Sequence, residues 1–76
     1  MLTRNTITKI IKEWKADAHI NHFVLFSYKR NILNIYTDMP GPMIGYHGTL
    51  VEKYTTIFKT YNPEITVNFV ETDGIV

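Results

Sequence analysis

Cysteine is missing from this 76-residue chain, which excludes disulfide bonds, zinc–thiolate sites and thiol catalysis. Long apolar runs are missing as well, since no stretch approaches the roughly 18 residues that a membrane-spanning helix needs. The opening residues Met1–Asn5 are not followed by the apolar core of a signal peptide. These absences predict a protein of a reducing, cytoplasmic compartment with no membrane partner.

No internal repeat or low-complexity segment divides the chain. Its apolar fraction of 45% and charged fraction of 20% are typical of a folded globule and not of a disordered tail. A chain of this length buries only about 60–65% of its unfolded surface, so its core is small. We therefore expect one domain over residues 1–76, with a frayed tail at residues 72–76.

Charge is distributed unevenly, although the net charge is only +1. Residues 1–30 carry six basic and two acidic side chains, whereas residues 31–76 carry two basic and five acidic ones. Nucleic-acid affinity depends mainly on neutralising phosphate charge. The C-terminal half is therefore poorly suited to bind nucleic acid tightly on its own.

The first predicted element is an amphipathic helix. Apolar residues recur on one helical face from Ile7 to Ala18 and include Trp14, which we place in the core. Asn5 or Thr6 is predicted to cap the start of this helix. Its basic rim is either a solvated surface or a contact for RNA or an acidic partner, and consists of Arg4, Lys9, Lys12 and Lys15.

Three segments have the composition of β-strands. They are predicted at Ile20–Tyr28, Ile32–Thr37 and Ile65–Phe69, with Lys29–Asn31 as the turn between the first two. The first two strands should form an antiparallel hairpin, in which Leu33 and Ile35 share one face.

A second long helix is predicted between the second and third strands. It begins near Gly48 or Thr49, with Thr49 as its cap, and carries an apolar stripe from Leu50 to Tyr61. Pro63 ends it, because the residue before a proline is disfavoured in the helical conformation.

The predicted order is α-β-β-α-α-β, which defines an α+β fold of two layers. Helices cover one face of a three-stranded mixed sheet. The return from the second strand to the third passes through two helices, so these strands should be parallel if they are neighbours.

Residues 40–48 contain the most informative motif. Proline stops the second strand, and Pro42 suits the first turn of a short helix that continues through Ile44. Gly45 and Gly48 then bracket two residues directly before the second long helix. A Gly-x-x-Gly loop that opens a helix can present backbone N–H groups to a phosphate.

With this order of elements, the run Leu33–Gly48 followed by Val51-Glu52-Lys53 resembles a type II (prokaryotic-type) KH domain. It is similar to the KH segment of the third protein of the small ribosomal subunit, whose pattern is Pro-Gly-x-x-Ile-Gly-x-x-Gly before a helix carrying Val-Glu-Lys. The resemblance covers nearly the whole chain and implies a groove for single-stranded RNA or DNA. In such a groove Gly45 and Gly48 would let the backbone approach the sugar-phosphate.

The resemblance also implies roles for neighbouring side chains. Ile44, with apolar residues of the following helix and the third strand, would form the floor beneath the bases, and Lys53 would reach a phosphate. Tyr46 and His47 stand where the family favours basic residues, so we expect weak affinity. Tyr46 either stacks on a base or lies on the surface, and His47 either bonds a phosphate or is an exposed polar residue.

Three other interpretations remain open. The loop either belongs to an inherited fold with a different function or is a plain helix–helix turn. In the third interpretation the loop is degenerate, and the fold is a protein-interaction or assembly module that binds no nucleic acid. Its contact surface would be the basic first helix or the open face of the sheet, where Tyr36 and Ile32 are expected to leave an apolar patch.

Catalytic and metal-binding signals are weak. His19 and His22 are three residues apart, but they sit at a helix-to-strand junction, and no cysteine or neighbouring carboxylate completes a ligand set. No nucleophile–His–carboxylate motif and no phosphate-binding Gly-Lys-Ser/Thr loop is present. The chain is therefore predicted to be neither an enzyme nor a metalloprotein, and to need no cofactor.

Overall fold

The computed structural model describes residues 2–72 and has the predicted order α-β-β-α-α-β. The predicted tail at residues 72–76 lies outside the described residues, apart from Thr72. A short 3₁₀ turn at Tyr46–Gly48 joins the second and third helices. The helices and strands are α1 (Arg4–Asp17), β1 (Leu25–Lys29), β2 (Ile32–Thr37), α2 (Pro40–Ile44), α3 (Thr49–Tyr61) and β3 (Thr66–Glu71).

The sheet is three-stranded and mixed, with β2 in the centre. β1 pairs with β2 antiparallel, and β3 pairs with β2 parallel, as predicted. The C-terminal ends of β2 and β3 therefore lie together at the edge where α2 begins, and α2 packs against β3 there. This places the loop after α2 beside the sheet.

One face of the sheet is covered by the helices. Leu33, Ile35 and Thr37 alternate along β2 and are fully buried, whereas Ile32 is exposed. The core also receives side chains from all three helices, and its buried hydrophobic residues are Leu2, Ile7, Ile10, Ile11, Trp14, Ile20, Leu33, Ile35, Met43, Tyr54, Phe58 and Ile65. No helix within residues 2–72 has both the length and the apolar content needed to cross a bilayer.

The start of α1 differs from the prediction. Thr3, not Asn5 or Thr6, is the N-cap, and its hydroxyl accepts a hydrogen bond from the Thr6 N–H at 3.2 Å. Leu2 before the cap is buried, as is Ile7 in the second turn, and this spacing is that of a hydrophobic staple. The apolar stripe of the sequence begins at Ile7 and does not reveal that the helix starts at Arg4. Leu2 precedes the helix and is therefore not part of the stripe.

The end of α1 explains why the first strand is shorter than predicted. His19 adopts a left-handed conformation (φ 57°), and the Ile20 N–H donates to the Lys15 carbonyl at 3.1 Å while the His19 N–H donates to Ala16. These are the two hydrogen bonds of a Schellman motif, which usually has glycine at the left-handed position. The chain leaves this motif irregularly, so the strand begins at Leu25 and not at Ile20.

The other boundaries are close to the predicted ones. β2 and the end of α3 match, while β3 runs from Thr66 to Glu71 and is shifted towards the C-terminus. Thr49 is the first residue of α3 and not its cap, because Gly48 occupies the cap position and offers no side chain. The hairpin turn is made by Arg30 and Asn31, both with positive φ, as in a type I′ turn.

Trp14 is fully buried, as predicted, and joins three parts of the molecule. Its indole Nε1–H donates to the Met43 carbonyl of α2 at 2.7 Å. Its ring stacks on Tyr54 of α3, with centroids 5.1 Å apart, and forms a T-shaped pair with Phe69 of β3, with centroids 5.5 Å apart. These contacts hold α2 in place against α1 and α3. Because the loop at residues 45–48 connects α2 to α3, both of its ends are held as well.

The uncovered face of the sheet carries a different apolar row from the expected one. Tyr36 lies between Leu25 and Val70, which are 45% and 39% exposed. Ile32 is exposed at the opposite end of β2, beyond the polar row that contains Asn34. The patch therefore comprises Leu25, Tyr36 and Val70, which we call the open-face row. Sequence reasoning missed it because the cross-strand register was not known.

Candidate nucleic-acid interface

The Gly45–Gly48 loop makes a tight connection between α2 and α3. Gly45 has φ 80° and ψ 172°, a backbone conformation that is nearly restricted to glycine. A Cβ at Gly45 would lie 3.0 Å from the backbone nitrogen and the side chain of Leu50. Gly48 is left-handed (φ 75°, ψ 17°), but a Cβ there would meet only Val51 Cγ1, at an ordinary contact distance of 3.8 Å. The backbone conformation therefore favours glycine at both positions, and only at Gly45 does crowding by a neighbouring residue also disfavour a side chain.

Two N–H groups of the loop already have backbone acceptors, one in α2 and one within the loop. The Gly45 N–H donates to the Gly41 carbonyl at 3.0 Å, and the Gly48 N–H donates to Gly45 at 3.1 Å. Among residues 2–72, no backbone carbonyl accepts from the N–H groups of Tyr46 or His47. These two groups are next to the N-terminus of α3, where the helix dipole favours an anion. The backbone can therefore offer hydrogen bonds to a phosphate.

The side chains of the loop are solvent-exposed. Tyr46 is 81% exposed, and its ring contacts the His47 imidazole edge to face with centroids 4.1 Å apart. Ile44 is exposed at the end of α2, and Leu50 and Val51 are half-buried at the start of α3. The loop thus combines an exposed aromatic ring with aliphatic surface on both sides.

The ammonium group of Lys53 forms a salt bridge with a carboxylate of α1. Its ammonium Nζ lies 2.8 Å from Asp17 Oδ2, and the same carboxylate oxygen accepts a hydrogen bond from the Tyr54 hydroxyl. The Lys53 and Tyr54 hydrogen bonds hold the pKa of the Asp17 carboxyl below its ordinary value. Burial, followed by the hydrogen bond to Asp17, raises the pKa of the Tyr54 hydroxyl. A phosphate that recruits Lys53 has to compete with Asp17.

Charge around the loop is sparse. No lysine or arginine lies between Gly41 and Glu52, and Glu52 itself occupies the first turn of α3. A carboxylate at this position offsets part of the attraction that the helix dipole exerts on an anion. The charges near this loop therefore offer little attraction to a phosphate.

The two histidines near the end of α1 are not brought together as a ligand set. His22 Nδ1 lies 3.1 Å from both oxygens of Asp38, whereas His19 forms part of the helix end. Within residues 2–72, no group of three or more His, Asp or Glu side chains is placed to hold a metal ion. The His22–Asp38 pair links the segment before β1 to the start of α2.

Asp17 is a residue that sequence reasoning missed, and its role gives a pH prediction. The pKa of Asp17 is lower in the folded protein than in the unfolded chain, so the unfolded chain binds a proton first as the pH falls. The stability that the Asp17 carboxylate contributes is therefore present above the ordinary Asp value of 3.8 and is lost below it. We expect Asp17→Asn to be less stable than the wild type at neutral pH, and the difference to shrink as the pH falls through this range. Urea unfolding at a series of pH values measures it.

Glu13→Gln provides the control for this experiment, since Glu13 is an exposed carboxylate on the same helix. Its effect on the free energy of unfolding should be small at every pH. A difference between Asp17→Asn and the wild type that stays constant into the acid range would contradict the proposed role of the Asp17 carboxylate.

Comparison of the chain with protein-family models, with curated proteins and with solved structures yields no match. The assignment of a function therefore rests on the geometry of this chain alone.

Proposed function

We propose that this protein is a small KH-like domain of type II that binds single-stranded RNA weakly through the Gly45–Gly48 loop. The observation that carries the proposal is the loop itself: a glycine-bracketed turn leads into a long helix, beside a mixed three-stranded sheet, in the element order α-β-β-α-α-β. Clamping of the nucleic-acid backbone by a Gly-x-x-Gly loop is the binding mode of KH modules.

In this proposal the backbone and the side chains have separate roles. The N–H groups of Tyr46 and His47 donate to phosphate oxygens at the N-terminus of α3. The exposed Tyr46 ring stacks on a base, an interaction that contributes about 1–3 kcal/mol per base. Aliphatic surface at Ile44 and Val51 lies beside the backbone contact and supports the neighbouring bases. Because no loop lysine or arginine assists, the affinity is low.

Adding positive charge to the loop should strengthen RNA binding. Replacing both Tyr46 and His47 by lysine adds two phosphate contacts and removes one stacking ring, so affinity for a labelled oligouridylate at low salt should rise roughly three- to tenfold. The dependence of log K on log salt should become steeper by about 1.4, because each phosphate contact contributes about 0.7. Fluorescence anisotropy at several salt concentrations measures both quantities.

A matched control separates a loop effect from a general charge effect. Replacing Thr56 and Thr60 by lysine adds the same charge at exposed positions of α3 away from the loop. This variant should change affinity much less, and replacing Tyr46 and His47 by aspartate should abolish binding. Equal gains in the loop variant and the control would contradict binding at the loop.

The open-face row favours one second candidate function, a protein-interaction or assembly module. Leu25, Tyr36 and Val70 form an apolar row across all three strands, on the face that none of the helices within residues 2–72 covers. Phe23, just before β1, is 68% exposed. Sedimentation at increasing protein concentration distinguishes the two functions: self-association that Leu25→Ser and Val70→Ser abolish, without any RNA binding, would favour the assembly module.

A further inference from the structure

A groove lies between α1 and the irregular segment at residues 20–24, on a part of the surface that the proposed RNA site does not use. Its volume is about 510 Å³, within the range of natural ligand pockets. Its floor is aliphatic and is formed by Ile11 of α1 and Ile20 of the segment, which are core residues with little exposed surface, together with the half-buried Val24. The groove exists because the chain leaves the Schellman motif irregularly and does not enter β1 directly after α1.

The polar lining of this groove is cationic. Lys12 and Lys15 both line it and are three residues apart, so they are neighbours on one face of α1. Among residues 2–72, no aspartate or glutamate lines the groove, and none forms a salt bridge with either lysine. Arg4 extends the same charge towards β1, where its guanidinium lies over the Phe26 ring at 4.9 Å. An apolar ligand that also carries negative charge complements this surface.

The groove and the Gly45–Gly48 loop lie on different sides of α1. Asp17 binds Lys53 and faces α3, and Thr8 in the groove wall is about half a turn around the helix axis from Asp17. No loop residue lines the groove. No aromatic side chain lines it either, so it offers no stacking platform for the bases of a single-stranded nucleic acid. These features favour a peptide over RNA.

We propose that this groove is a docking site for a short acidic segment of a partner protein that carries an aliphatic anchor residue. The anchor packs on the half-buried Val24 and on the small exposed parts of Ile11 and Ile20 at the floor of the groove, and the flanking carboxylates pair with the ammonium groups of Lys12 and Lys15. This assigns two of the six basic side chains of residues 1–30 to protein recognition. The proposal does not depend on RNA binding at the loop.

The test is a titration of ¹⁵N-labelled full-length protein with two synthetic peptides. In the first peptide leucines alternate with glutamates, and in the second each glutamate is replaced by lysine. The first peptide should shift the amide signals of residues 8–16 and 20–24, while the second should leave them unchanged. The double variant Lys12→Glu, Lys15→Glu should weaken binding of the first peptide roughly tenfold, since two ion pairs become repulsive.

Two further variants keep the test decisive. Lys29→Glu with Lys59→Glu makes the same change in net charge at exposed sites outside the groove and should retain binding. Ala16→Phe fills the groove from an exposed position of α1 and should abolish binding without changing charge. Equal weakening by both charge variants, or equal binding of both peptides, would overturn the proposal. So would a response of these residues to oligouridylate instead of the acidic peptide.

Discussion

Replacing Gly45 by alanine is expected to destabilise the protein by about 2–4 kcal/mol, one of the largest effects that any single substitution should have. Two independent causes add. The φ of 80° with ψ of 172° is strained for any residue that has a Cβ, and that Cβ would lie 3.0 Å from the Leu50 nitrogen, Cβ and Cγ. Relief would require α2 and α3 to move apart. A domain of 76 residues has a total stability of about 4–11 kcal/mol, so the loss is a large share of it.

The other glycines of this region are the controls for that experiment. Gly48→Ala should cost about 1–2 kcal/mol, because its left-handed backbone is strained with a Cβ, although that Cβ would make only an ordinary contact with Val51. Gly41→Ala should be neutral or stabilise by up to about 1 kcal/mol, since Gly41 is helical and an added methyl group would meet nothing within 4 Å. Urea unfolding of the three variants gives the ranking. A Gly45→Ala protein as stable as Gly48→Ala would show that the loop is not held as described.

Replacing Trp14 by alanine should cost about 3–5 kcal/mol, a loss as large as the lower end of the stability expected for a domain of this size. The substitution removes the fully buried ring that stacks on Tyr54 and contacts Phe69. It also leaves the Met43 carbonyl without the indole donor that lies 2.7 Å away. Far-ultraviolet circular dichroism with urea unfolding measures the loss.

Two other substitutions are compared with Trp14→Ala: one separates packing from hydrogen bonding, and the other is an exposed control. Trp14→Phe keeps an aromatic ring in the core but removes the donor to Met43, and should cost less than Trp14→Ala. Phe23→Ala removes an aromatic ring that is 68% exposed and should change stability by less than about 0.5 kcal/mol. If Trp14→Ala were as mild as Phe23→Ala, the cluster would not be the core of the fold.

Much of the fold is predictable because its signals are local. The alternation along β2, the apolar stripe of α3 and the proline after it indicate the correct element types and nearly correct bounds. The failures have specific causes. The predicted first strand begins five residues too early, since His19 and not glycine occupies the left-handed position of the Schellman motif. Ile20 is buried against the core, but not as part of a strand.

The candidate site is predictable only in its backbone. The spacing of Gly45 and Gly48 locates the turn between α2 and α3, and the structure places a tight loop there. The ion pair of Lys53 with Asp17 is not predictable, because it joins residues 36 positions apart. The open-face row needs the register of three strands, and the groove beside α1 needs the irregular path of residues 20–24.

The most direct test of the central proposal is a titration of the ¹⁵N-labelled protein with short single-stranded RNA at low salt. Binding at the Gly45–Gly48 loop predicts chemical-shift changes concentrated at residues 44–53, with Tyr46, His47 and Gly48 among the most affected and the open-face row unchanged. Complete absence of shifts with every RNA sequence, or shifts confined to residues outside the loop and the start of α3, would contradict it.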